Sequence, residues 1–95
     1  MGRQRNSKRY VPPSEKFEGI AVLARVSTCI ASATGPQWEI PRFTFRLPDG
    51  REVFWNSDSD LAAWLFHEVG EGPCDVPLRI RGYVNGDRIK RVQPA

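Results

Sequence analysis

From Leu78 to Val84 the chain alternates: Leu78, Ile80, Gly82 and Val84 against Arg79, Arg81 and Tyr83. A period of two puts the first set on a buried strand face and the second on an exposed one. Asn85-Gly86 follows, the preferred pair of a two-residue type I′ turn, in which both positions need positive φ. A returning strand then brings Arg88, Lys90 and Arg91. The pattern predicts a β-hairpin that is apolar on one side and cationic, with one phenol ring, on the other.

Phe17 to Ile30 reads as one long strand. Ile20, Val22, Ala24, Val26, Thr28 and Ile30 fall on one face, and Leu23, Arg25, Ser27 and Cys29 on the other. Such a length predicts a strand that bends and pairs on both sides, with Gly19 or the small residues near Ala24 at the bend. Ala31 to Gln37 is a loop by composition. Trp38 to Leu47 is the second strand. Phe43, Phe45 and Leu47 point inward, Arg42, Thr44 and Arg46 outward, and Pro41 marks an edge or bulge. Pro48-Asp49-Gly50 is a tight turn built on Asp-Gly. Arg51 to Asn56 is the third strand, and Val53-Phe54-Trp55 leaves its facing open.

Ser57 to Val69 is the one helix, capped by Ser57 or Asp58 and closed by Gly70. Leu61, Trp64, Leu65 and Val69 form its apolar stripe, interrupted by Glu68, and Trp64 and Phe66 are expected as packing residues. Glu71 to Asp75 reads as a linker, and Val76 opens the closing hairpin. The predicted fold is all-β with one helix, in the order β-β-β-α-β-β. Residues 1–14 are expected to form a flexible basic arm, and residues 15–95 a single domain.

Charge sharpens this picture. The net charge of +3 on 95 residues hides a segregation. Arg3, Arg5, Lys8 and Arg9 make the first ten residues purely basic, and residues 57–75 hold five acids with no Lys or Arg. Residues 76–95 are basic again. A bipolar chain can orient on a polyanion. Most of the bases are Arg, which forks onto phosphate and stacks on bases, although a GC-rich genome also favours Arg.

Cys29 and Cys74 are the only cysteines and His67 the only histidine, too few for a zinc site, so no metal or other cofactor is expected. Two free thiols in a reducing cytoplasm are the favoured reading, with one disulfide as the other. No apolar run approaches the ~20 residues of a membrane span, and no apolar signal core follows the basic N-terminus. No nucleophile motif, glycine-rich phosphate loop or paired acidic motif is present, so the expectation is a protein that is not an enzyme.

The first strand Phe17–Ile30, the Asp49-Gly50 hairpin, the helix Ser57–Val69 and the run Leu78–Val84 together resemble the plan of the OB-fold. That plan is a small five-stranded barrel with a helix between its third and fourth strands. The resemblance spans residues 15–93 and lies in pattern rather than in a specific motif. It implies oligonucleotide binding through the second and third strands and their flanking loops. The implied surface is Arg42, Thr44, Arg46, Arg51 and one of Phe54 or Trp55, walled by Trp38 with the loop before it and by the short Asn85-Gly86 turn. That turn departs from the longer loop of many nucleic-acid-binding members.

The full candidate set adds Trp55 and Tyr83 as base-stacking rings and Arg79, Arg81, Arg88 and Lys90 as phosphate contacts. Arg3, Arg5, Lys8 and Arg9 would add non-specific affinity. The expected partner is single-stranded nucleic acid, DNA ahead of RNA. A solvated sheet face paired to Glu39, Glu52 or Asp87 is the plainer reading of these arginines. A protein-interaction module or assembly subunit, meeting a basic partner at the acidic helix region, is the alternative function.

Overall fold

The computed structural model describes residues 14–31 and 35–95. Strand β1 (Glu15–Ile30) is long because it serves two neighbours. It pairs antiparallel with β4 (Gly72–Asn85) from Glu15↔Val84, and with β2 (Glu39–Arg46) as far as Ile30↔Glu39. β3 (Glu52–Asn56) pairs with β2, and β5 (Arg88–Pro94) with β4, both antiparallel. β3 meets β5 in parallel at one pair, Phe54↔Arg88, which closes the sheet in the order β1-β2-β3-β5-β4. Helix α1 (Asp60–Val69) joins β3 to β4, so the element order is the predicted one.

The facing of β1 differs from the simple alternation. The register shifts between Leu23 and Arg25, leaving Ala24 as an extra residue. A bulge of one residue moves every later side chain to the other face. Ala21 and Leu23 are therefore buried before it and Val26 after it, while Ile20 is 50% exposed. The Cys74 thiol donates to the Leu23 carbonyl oxygen beside this bulge (3.3 Å), and burial pushes that thiol up, keeping it a donor at neutral pH. Cys29 and Cys74 are not bridged.

The interior is built from cross-strand rows. Leu23, Phe45 and Val53 form one, and Val26, Phe43 and Trp55 the next. All six are buried. The Trp55 ring lies 5.1 Å from that of Phe43 and 6.5 Å from that of Phe45, both tilted, the spacing at which aromatic rings attract. Trp55 is thus a core residue, and Phe54 is the outward aromatic of β3.

Helix α1 starts later than its predicted first residue. Ser59 is its cap: the Ala62 N–H donates to the Ser59 hydroxyl at 3.2 Å, and the Ser57 hydroxyl donates to the same oxygen at 2.9 Å. Gly70, at φ 83°, ends the helix and donates its N–H to the Phe66 carbonyl. Ala62 and Leu65 face the interior. Trp64 sits about 160° round the helix from Ala62 and is 59% exposed, so it is not the packing residue its spacing predicts, whereas Phe66 packs against the core. The expected linker before Val76 is strand instead, because β1 beyond its bulge needs partners: Arg25 faces Pro73 and Val26 faces Gly72.

The closing turn differs by one residue from its predicted form. Asn85 pairs with Arg88, so the closing hairpin turns on Gly86-Asp87, with Gly86 at φ 63° in the first position as type II′ turns demand. The earlier hairpin turns on the predicted residues Pro48 to Gly50: Arg46 pairs with Glu52, and the Leu47 N–H donates to the Arg51 carbonyl at 2.8 Å. β5 then carries its own bulge, between the pairs Tyr83↔Lys90 and Arg81↔Gln93. This brings both Ile89 and Val92 inside and leaves Arg91 at φ 56°. A non-glycine residue there costs about 1–2 kcal/mol.

Gly82 lies opposite the bulge with no room for a side chain. A Cβ would stand 2.8 Å from the Lys90 carbonyl oxygen and 3.1 Å from Ile89. Gly82→Ala should therefore destabilise the fold by roughly 1–3 kcal/mol through overpacking. Thermal unfolding followed by circular dichroism checks this: an unchanged midpoint would show that the strands yield freely.

Candidate nucleic-acid interface

The outer face of β2 and β3 is organised by the register just described. Thr44 lies between Arg25 on β1 and Phe54 on β3, and Phe54 lies beside Arg88 on β5. Arg25, Thr44, Phe54 and Arg88 therefore form one outer row across four strands. Neighbouring strands are about 4.8 Å apart, so the row spans roughly 15 Å. The next row holds Ser27, Arg42 and Asn56. The Arg42 guanidinium lies 4.6 Å from the centre of the Phe54 ring, and its Nε–H donates to Asn56 Oδ1 at 3.1 Å. A cation over a ring face is favourable and presents a flat, charged platform.

Beyond the Phe54↔Arg88 pair, β3 and β5 separate into a groove of about 360 Å3 flanked by Phe54, Asn56, Arg88, Lys90 and Arg91. Lys90 stands opposite Tyr83 on β4, and Tyr83 opposite Lys16 on β1. A band of cations with two outward rings thus runs from Arg42 through Phe54, Arg88 and Lys90 to Tyr83.

The predicted residues fall into distinct places. Arg42, Arg88, Lys90, Arg81 and Tyr83 lie on or beside this band, and Thr44 is buried within it at 8% exposure. Trp38 is exposed at the end of β2, about 13 Å along the strand from Arg42. Arg79 faces outward on β4 opposite Ile20, well away from Phe54. Trp55 is inside and cannot stack on a ligand without unfolding.

Arg46 and Arg51 are engaged elsewhere. Arg46 lies 3.5 Å from Asp75. Arg51 pairs with Asp49 at 2.7 Å and Glu15 at 3.3 Å, which hold its guanidinium firmly charged. The Arg51 backbone N–H in turn holds the Asp49 carboxyl below its usual range. These pairs tie the β2–β3 turn to the start of β1 rather than presenting charge to a ligand.

Arg3, Arg5, Lys8 and Arg9 lie outside the described residues, as do residues 32–34 of the loop before Trp38. Two residues of the band were not singled out from sequence. Arg25 reaches the outer row through the bulge at Ala24, and Lys16 through pairing with Tyr83. The lone histidine, His67, is on the exposed side of α1, 3.9 Å from Glu68. Among the described residues no group of three or more His, Cys, Asp or Glu could hold a metal ion, and no helix is long and apolar enough to cross a membrane. Comparison with protein-family models, curated proteins and solved structures gave no match.

Proposed function

We propose that this chain is a non-catalytic single-stranded nucleic-acid-binding protein built on a small OB-like barrel. The observation that carries the reading is the outward Phe54, roofed by Arg42 and set in a row with Arg25 and Arg88 that contains no acid. An aromatic platform among cations supports base stacking with phosphate contacts alongside, and it tolerates any base because each has a π face. The closed five-stranded sheet with its helix between β3 and β4 supports the OB-like assignment. On this reading the basic arm adds affinity without specificity, and the protein works in the cytoplasm with its thiols reduced.

The test is fluorescence anisotropy of a labelled oligothymidylate at two salt concentrations. With about four phosphate contacts, log K should fall with log salt at a slope of about −3. That is roughly a 50-fold loss of affinity between about 50 and 200 mM salt. Absence of binding at low salt would end this reading.

One observation favours the second reading, a protein-interaction module. The exposed Trp64 overhangs an apolar cavity of about 240 Å3, bordered by Leu61, Leu65, Leu78, Ile80 and Val92, on the acidic helix. Light scattering that shows a defined oligomer insensitive to nuclease would favour it.

A further inference from the structure

We propose that the concavity at the β1 end of the cationic band is a phosphate-monoester subsite, taking the terminal phosphate of a bound strand. It rests on the nucleic-acid reading above and gives that surface an end. The concavity measures about 250 Å3 and is lined by Lys16, Arg81, Gly82, Tyr83, Arg91 and Gln93. Three cationic residues, a tyrosine and a glutamine thus border it from three strands.

These charges are only partly compensated. Among the described residues none of Lys16, Arg81 or Arg91 is in an ion pair. Glu18 is the carboxylate closest in register, opposite Arg81, and it does not line the concavity. Like charges gathered without a counter-ion repel one another, and an anion relieves them in proportion to its charge. An internal phosphodiester carries one negative charge, whereas a monoester carries about 1.5 to 2 at neutral pH.

The backbone points to the same place. Arg91 is the one non-glycine residue with positive φ among the described residues. The bulge that imposes this conformation sends Val92 into the core and leaves Arg91 lining the concavity. Glycine would adopt this φ without strain, yet the position carries a guanidinium. Residues held in such a conformation gather at binding sites.

Position explains why the group is terminal. Past Lys16 the outer face of β1 continues with Glu18 and the half-exposed Ile20, so among the described residues the cationic band does not continue along β1. A strand laid from Phe54 past Arg88 and Lys90 reaches this concavity at its end.

Calorimetric titration of the full chain with three oligothymidylates of equal length tests the proposal. One carries a 5′-phosphate, one a 3′-phosphate and one neither, all at the same low ionic strength. One phosphorylated form should bind about tenfold tighter than the unmodified strand. Arg91→Gly suits the backbone and removes the guanidinium. It should bring that ratio to about one; Arg91 also borders the groove beside Phe54 and Lys90, so the unmodified strand weakens as well and the ratio is the readout. Equal affinity for all three strands would overturn the subsite and leave the binding surface standing. A preference that survives in Arg91→Gly would also overturn it. No binding of any strand would remove the nucleic-acid reading itself, and the subsite with it.

Discussion

Trp55→Ala is expected to cost about 3–5 kcal/mol of folding stability, while Phe54→Ala, one residue away, leaves the protein folded. Trp55 is 6% exposed and touches the rings of Phe43 and Phe45, so its removal opens a void in the two central rows of the core. A small domain holds only about 5–15 kcal/mol in total, so the loss is a large share of its stability. Phe54 is half-buried on the outside, under Arg42. Urea unfolding followed by circular dichroism compares the two variants directly. Similar losses at both positions would mean that β3 does not face as described.

The converse holds for binding. Phe54→Ala should weaken oligonucleotide affinity by about 1–3 kcal/mol, roughly five- to 150-fold, because a base loses the platform that the ring forms with Arg42. The slope of affinity against salt should stay almost unchanged, since no charge is removed. Arg42 keeps its hydrogen bond to Asn56 and remains near the strand path. A Phe54→Ala variant that binds as tightly as the parent would shift the site away from β3. A variant with a much flatter salt slope would show that the ring acts only by holding Arg42 in place.

The sequence carried the element order, the single helix and the inward set Phe43, Phe45, Ile80 and Val84, because alternation over several residues survives a boundary error. It carried the Pro48–Gly50 loop that sets the β2–β3 register, but not the bulges in β1 and β5, and the candidate site depends on both. A two-residue Asp49-Gly50 loop would have set Thr44 opposite Trp55 and turned that indole outward. The three-residue loop sets Thr44 opposite Phe54 instead. The bulges at Ala24 and Arg91 act in the same way, one bringing Arg25 onto the outer row and the other bringing Val92 inside.

The pairing of Arg46 with Asp75 and of Arg51 with Glu15 joins residues distant in the chain, so local pattern is silent on it. The sequence did hold one clue to Phe54. Thr44 between two inward phenylalanines fixes the outer face of β2, and the loop length alone then decides which aromatic of β3 joins it.

An amide chemical-shift titration with an unlabelled oligothymidylate at low salt asks most directly where a strand lies. The account predicts that the largest shifts fall on Arg25, Arg42, Phe54, Arg88 and Lys90 and extend to Tyr83, with α1 unaffected. Shifts centred on Trp64 and the helix, or none at all, would contradict it.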